Sequence, residues 1–360
     1  MRKGFIILLL ISVSLIFFSF TNGKEKISAA RLRKIYSQAP DKWPKPTVDL
    51  WGGWKELGML PGSPLENNDS INRVVELGKV LFFDTRLSGS GKISCATCHQ
   101  PELHWTDGKE RSVGHAGALN KRNSPSLQNV WFFQLLFWDG RAKSLQDQVF
   151  APINSETEMH SEMPDVIQKL RATKGYAPLF KKAFGSEEVS PDRFTDAIAT
   201  FEKTIVGRRS RFDEFLAGNK KALTNSEIKG LHLFRTKARC MNCHNGPLFS
   251  DNQFHSNGFF YPQQIEKDKG RYMVSHEKVD MGRFKTPSLR DVLYTGPWMH
   301  DGSHASLKDI LIIYNEGSLG TNDPLIKRLA LNKREIDDLV AFLGAISTSP
   351  AEFKKPVLPD

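Results

Sequence analysis

Alternation of polar and apolar residues, the signature of a half-buried strand, is scarce in this 360-residue chain, so a sheet-based fold is not expected. Charge of one sign is not gathered anywhere either. The formal net charge is +10, but acidic residues are mixed among scattered basic ones. That describes a solvated basic surface and speaks against a nucleic-acid partner. Cysteine is confined to four residues. None lies near the N-terminus, so a lipoprotein anchor is not expected. What remains is ordinary: 39% apolar and 25% charged residues suit a soluble globular protein, and the length suffices for two domains.

The N-terminal stretch departs from that average. Arg2 and Lys3 precede an uncharged run from Gly4 to Phe20, followed by Thr21, Asn22 and Gly23. This is the layout of a signal peptide over residues 1–23, and it predicts export to the periplasm. The run spans a bilayer poorly, and an uncleaved membrane anchor is the alternative reading. Loss of Arg2 and Lys3 on cleavage lowers the net charge to +8.

All four cysteines fall in two copies of one pentapeptide pattern, Cys95-Ala96-Thr97-Cys98-His99 and Cys240-Met241-Asn242-Cys243-His244. The spacing suits covalent haem c: two thiols on one turn add to the two vinyl groups, and the next residue places an imidazole under the iron. Two local disulfides, a zinc site of four thiolates or a redox dithiol would each use the thiols. None accounts for a histidine directly after the second cysteine in both copies. Two haem c groups are therefore expected, with His99 and His244 as proximal iron ligands.

The chain also reads as two related halves. Gly78-Lys79-Val80-Leu81-Phe82 leads to the first motif and Gly230-Leu231-His232-Leu233-Phe234 to the second. Thr224 with Glu227 predicts a capping box, as does Asn332 with Glu335, where Leu331 can staple onto Ile336 and the stripe continues through Leu339, Val340 and Leu343. Ser190 and Pro191 open a helix with Phe194, Ala197, Ile198, Phe201 and Ile205 on one face. The expectation is a mainly α protein of two cytochrome-c-like haem domains with long loops, spanning 45–185 and 186–347. Segments 39–64 and 262–285, rich in proline, glycine and charge, read as loops or linkers.

Axial ligands decide whether a haem passes electrons or reacts. The other eight histidines are the candidates for a distal ligand. His115 stands out in Gly114-His115-Ala116-Gly117, a flexible context from which a ligand can leave iron. A surface-loop histidine is the plainer alternative.

Several motifs together resemble the bacterial dihaem cytochrome c peroxidases and their MauG-type relatives. They are Asp84 to Gly91, Arg122-Asn123-Ser124-Pro125-Ser126-Leu127, Phe137-Trp138-Asp139-Gly140-Arg141-Ala142, and Gln148 with Pro152-Ile153-Asn154 and Glu158-Met159. Phe284 to Arg290 and His300-Asp301-Gly302 complete the set. The resemblance implies that the haem on Cys95, Cys98 and His99 is the peroxidatic one, with His115 as a removable sixth ligand. It also implies Glu158 as distal acid/base, Gln148 as its neighbour, and Trp138 as an electron conduit between the haems. Asn123, with the backbone oxygens of Thr295 and Pro297, matches an inter-domain calcium site.

The departure is at the second haem. The peroxidases place a methionine fourteen residues after the histidine that His300 matches, and here that position is Tyr314, as in MauG-type enzymes. A phenolate stabilises ferric over ferrous iron. Met299 and Met281 are the nearby alternatives, and Tyr314 also fits the apolar face of a helix opened by Ser306. The implied activity is reduction of hydrogen peroxide to water with electrons from a small redox protein, such as a cytochrome c or a cupredoxin. The alternatives are a MauG-type oxidant of a partner protein and a non-catalytic electron carrier. A homodimer follows from the resemblance alone.

Overall fold

The computed structural model describes residues 27–49, 53–258, 267–317 and 323–360; the predicted signal peptide and part of the 262–285 loop lie outside them. Among the described residues the helices are α1 (Ala29–Tyr36), α2 (Asp69–Phe83), α3 (Cys95–Cys98), α4 (Leu145–Asn154), α5 (Met163–Ala172), α6 (Tyr176–Phe184) and α7 (Pro191–Glu202). They continue with α8 (Arg211–Leu216), α9 (Asn225–Arg235), α10 (Tyr272–Ser275), α11 (Leu307–Glu316) and α12 (Lys333–Ala345). Strand is limited to β1 (Phe254–His255) and β2 (Phe284–Lys285), antiparallel with Phe254 opposite Lys285. No described helix is long and apolar enough to cross a membrane.

Two crossed helix pairs organise the molecule, α2 on α7 and α9 on α12. Each crossing is close because one helix supplies a glycine at the contact. A Cβ on Gly78 would stand 1.9 Å from the Ala197 carbonyl oxygen, and one on Gly230 2.0 Å from that of Asp338. Around each contact the same aromatics recur. Phe82 meets Phe201 at 5.3 Å between ring centroids, and Phe234 meets Phe342 at 5.4 Å. Trp105 joins the first pair at 5.9 Å and Phe249 the second at 6.1 Å. Burying one such ring contributes about 1.5–3 kcal/mol, so these triads anchor the two cores.

The caps expected from the sequence are present. Thr224 and Glu227 exchange bonds at the start of α9, and Asn332 and Glu335 do so at α12. Ser190 accepts from Arg193 N (3.4 Å) and Asn68 from Ile71 N (2.9 Å), which stops α7 and α2 from fraying.

The two cores do not divide at residue 185. Val189, Phe194, Ala197, Ile198, Phe201 and Ile205 belong to the first core with α2, because the apolar face of α2 is closed by α7. Leu32, Tyr36, Trp43 and Leu57 precede the first motif in sequence but pack in the second core, against α9 and α12. The C-terminal tail returns to the first core through Phe353 and Leu358.

Candidate active site

Both pentapeptides open onto one cavity of about 1520 Å³, beyond the roughly 300–1,000 Å³ of a pocket for one small ligand. The first motif forms the single turn α3, where Ser94 N–H donates to Thr97 Oγ1 (2.9 Å). The second is a tight turn entered through Arg239 at φ 55°. His99 Nδ1 lies 3.0 Å from the Trp105 carbonyl oxygen, and His244 Nδ1 2.9 Å from that of Phe249. A carbonyl only accepts, so Nδ1 carries the proton and Nε2 keeps the lone pair that iron requires. Burial holds both imidazoles below the usual range, hence neutral.

The thiols are equally suited to covalent attachment. None is in a disulfide. Burial pushes Cys98 up to about 11 and Cys240 up to about 12, and Cys95 and Cys243 in the same direction. They are not the lowered-pKa thiolates of a reactive dithiol. Arg239 Nε and Asn242 Nδ2 are buried donors without a protein partner on the cavity wall. Apolar walls with orphaned donors beside the motif fit a large flat group that carries acidic substituents, as haem does.

Gln148, on α4, and Glu158, in the turn after it, line this cavity together with Cys95, Cys98 and His99. Burial raises the Glu158 carboxyl, against the pull of Arg141. His115 is placed differently. Its backbone N–H donates to Glu158 O (2.9 Å), but its ring is not part of the cavity wall and lies on His160, 4.3 Å between centroids. Beside the second motif, Tyr314 on α11 and Met299 both line the cavity. Asn257 Nδ2 reaches Tyr314 Oη at 3.4 Å and Met299 Sδ at 3.6 Å, so the fold brings both candidates to one place. Met281 does not line it.

Trp138 sits where the two halves meet. Its indole N–H donates to Asn123 O (2.9 Å), and its carbonyl accepts from Lys285 N (2.8 Å). Asn123, Thr295 and Pro297 lie on the same wall. The Asn123 amide nitrogen is committed to the carbonyls of Lys109 (2.9 Å) and Glu110 (3.3 Å), so oxygen is what this side chain can offer a cation. Arg122 ties the junction by ion pairs to Asp139 (2.6 Å) and Asp268 (2.7 Å).

Sequence reasoning missed three cavity residues. Lys285 stands over the Phe133 ring at 4.1 Å, and burial pulls its amine down to about 7. Arg239 was hidden in an irregular turn. Glu202 lies four residues after Ile198, on the same helical face, and an acid closing an apolar stripe was the signal available.

Comparisons with known proteins place the chain among dihaem proteins. The family described as Di-haem cytochrome c peroxidase matches residues 72–221. The methylamine utilization protein MauG of Methylorubrum extorquens is 42% identical over 292 residues, 79% of this chain and 81% of that one. The cytochrome c551 peroxidase of Nitrosomonas europaea is 38% identical over 287 residues, 79% of this chain and 83% of that one. Among solved structures, a MauG-like protein associated with microbial copper homeostasis superposes with a TM-score of 0.72 at 29% identity, covering 83% of this chain and 96% of its own.

Proposed function

The chain belongs to the dihaem cytochrome c peroxidase and MauG family, and from that premise we propose that it reduces hydrogen peroxide at the first haem with electrons received through the second. Membership makes it a peroxidase-class oxidoreductase with two c-type haems, a peroxide substrate and a redox partner. The finer assignments are ours. They rest on one observation: Glu158 and Gln148 share a cavity with His99.

The haems, held by Cys95, Cys98 and His99 and by Cys240, Cys243 and His244, supply iron that accepts and passes single electrons. Glu158 takes a proton from one peroxide oxygen and returns it to the other as the O–O bond parts, which a single raised carboxyl can do. Gln148 orients the peroxide beside it. Trp138, hydrogen-bonded to both halves, is the conduit. His115, whose ring lies on His160 and whose Nδ1 is buried without a partner, would serve as the removable ligand that family membership suggests. Asn123 with the Thr295 and Pro297 carbonyls offers the oxygen donors a calcium ion prefers. The donor is a small redox protein such as a cytochrome c or cupredoxin, met in the periplasm.

Tyr314 favours a second reading, a MauG-type enzyme that uses peroxide to oxidise a partner protein. Replacing Glu158 by Gln is expected to slow peroxide consumption about 10²- to 10⁴-fold with haem content intact. Unchanged turnover would remove Glu158 from the acid/base role. In the same assay, rapid oxidation of a reduced small cytochrome supports the peroxidase. A long-lived oxidised state with little donor oxidation supports the MauG-type reading.

A further inference from the structure

Glu202 is the one acid among the described residues that closes the apolar face of α7. It is 3% exposed, it lines the cavity, and its Oε2 has no hydrogen-bond partner. It acts electrostatically on Cys95, so it faces the first motif. The cavity-lining side chains of α2 and α4, which pack on α7, include Phe82, Leu145, Gln148, Val149 and Ile153, and none of these ionises. Glu158 is the other carboxyl acting on Cys95.

The second domain provides an internal control. Ala197 meets Gly78 as Asp338 meets Gly230, and Phe201 and Phe342 close the same two contacts. Five residues beyond Ala197 is Glu202, and five beyond Asp338 is Leu343. Both line the cavity, and Leu343 belongs to the core that holds Met241 and Cys240 of the second motif. The second domain fills this position with leucine, whereas a buried carboxyl oxygen without a partner is costly, and the helix crossing does not require it.

We propose that Glu202 is a proton-exchanging group of the first haem pocket, releasing one proton when that haem loses an electron and taking one back when the electron returns. The proton goes to and comes from solvent through the cavity; the electron comes from the redox partner. Burial keeps the carboxyl neutral, raising it to about 8. A charge of +1 gained nearby favours the carboxylate, so each electron lost lowers the carboxyl's proton affinity. The inference rests on haem attachment at Cys95, Cys98 and His99, but not on the identity of the donor.

The test is a spectroelectrochemical titration of both haems in the purified dihaem protein at a series of pH values spanning the Glu202 range. In the wild type the first haem's midpoint is expected to fall with rising pH, approaching one proton per electron, while the second shows no such dependence. Glu202→Gln should flatten the first haem's slope with both haems retained, and Leu343→Glu should create a slope at the second. A Glu202→Gln protein that keeps the wild-type slope overturns the proposal. A protein without haem at the first motif overturns the attachment on which it rests, and a haem-content assay shows this before any potential is measured.

Discussion

The two haem domains share a scaffold and differ in their walls. In both, a glycine lets two helices cross at carbonyl distance, a phenylalanine pair closes the crossing, and a backbone oxygen fixes the proximal histidine. These features hold the motif and say nothing about reactivity. The differences lie on the opposite surface of the cavity. The first domain presents Gln148, Glu158 and Glu202; the second presents Asn257, Met299, Tyr314 and Leu343. Carboxyl groups raised by burial stand at the first motif, whereas the second sets His255, held by Asp251 and Asp323, beside the candidate ligands Met299 and Tyr314. One fold thus carries two functions by changing a handful of wall residues while the crossings stay fixed.

The comparison breaks most sharply at the glycines. Helix propensity alone favours alanine over glycine by about 1 kcal/mol. The clash with Ala197 O or Asp338 O outweighs this, so Gly78→Ala and Gly230→Ala are each expected to destabilise by about 3 kcal/mol. Denaturant unfolding of the two variants measures both values. A stabilised variant at either site would mean that its crossing is looser than 1.9–2.0 Å implies.

The walls can be exchanged without such a clash. Glu202→Leu gives the first domain the residue of the second and removes an unsatisfied buried acid, so a gain of about 1–3 kcal/mol at neutral pH is expected. The sign follows from linkage. Glu202 is raised from 4.5 to about 8 on folding, so the folded state binds the proton more tightly. Its contribution is fully present below 4.5 and is lost as pH rises toward 8. Stability measured across that window should slope downward in the wild type and less steeply in Glu202→Leu. Parallel slopes would show that Glu202 is ionised or paired in solution.

Much of this was legible beforehand. The repeated C-x-x-C-H pattern marks the haem turns because it depends on residues close in sequence, and the repeated Gly-x-x-x-Phe before it marks two related halves; that its glycines are crossing points emerges only where Gly78 meets Ala197 and Gly230 meets Asp338. The caps at Thr224 and Asn332 are equally local. The domain boundary was not legible, since α7 looks the same whether it opens a second domain or closes the first; only the apolar face of α2 decides. The placement of His115 on His160 and the approach of Asn257 to both Tyr314 and Met299 depend on loops that meet across the chain. Glu202 was readable as an acid on an apolar face, but its lack of a partner emerges only once α2, α4 and α7 are assembled.

The smallest contrast lies in the caps. The second domain opens α9 and α12 with reciprocal boxes, in which Glu227 and Glu335 bond back to the cap residue's N–H at 2.7 and 2.8 Å. The first domain opens α2 and α7 with Asn68 and Ser190 alone, since Ile71 and Arg193 occupy the positions that would answer. Loss of a cap side chain costs about 1 kcal/mol, and in a box the returning carboxylate also loses its fixed geometry. Thr224→Ala and Asn332→Ala should therefore each lose more than Asn68→Ala and Ser190→Ala, by a few tenths to about 1 kcal/mol. Equal losses in denaturant unfolding of the four variants would mean that the returning carboxylates contribute nothing, and that the two domains differ in their cavity walls but not in how their helices begin.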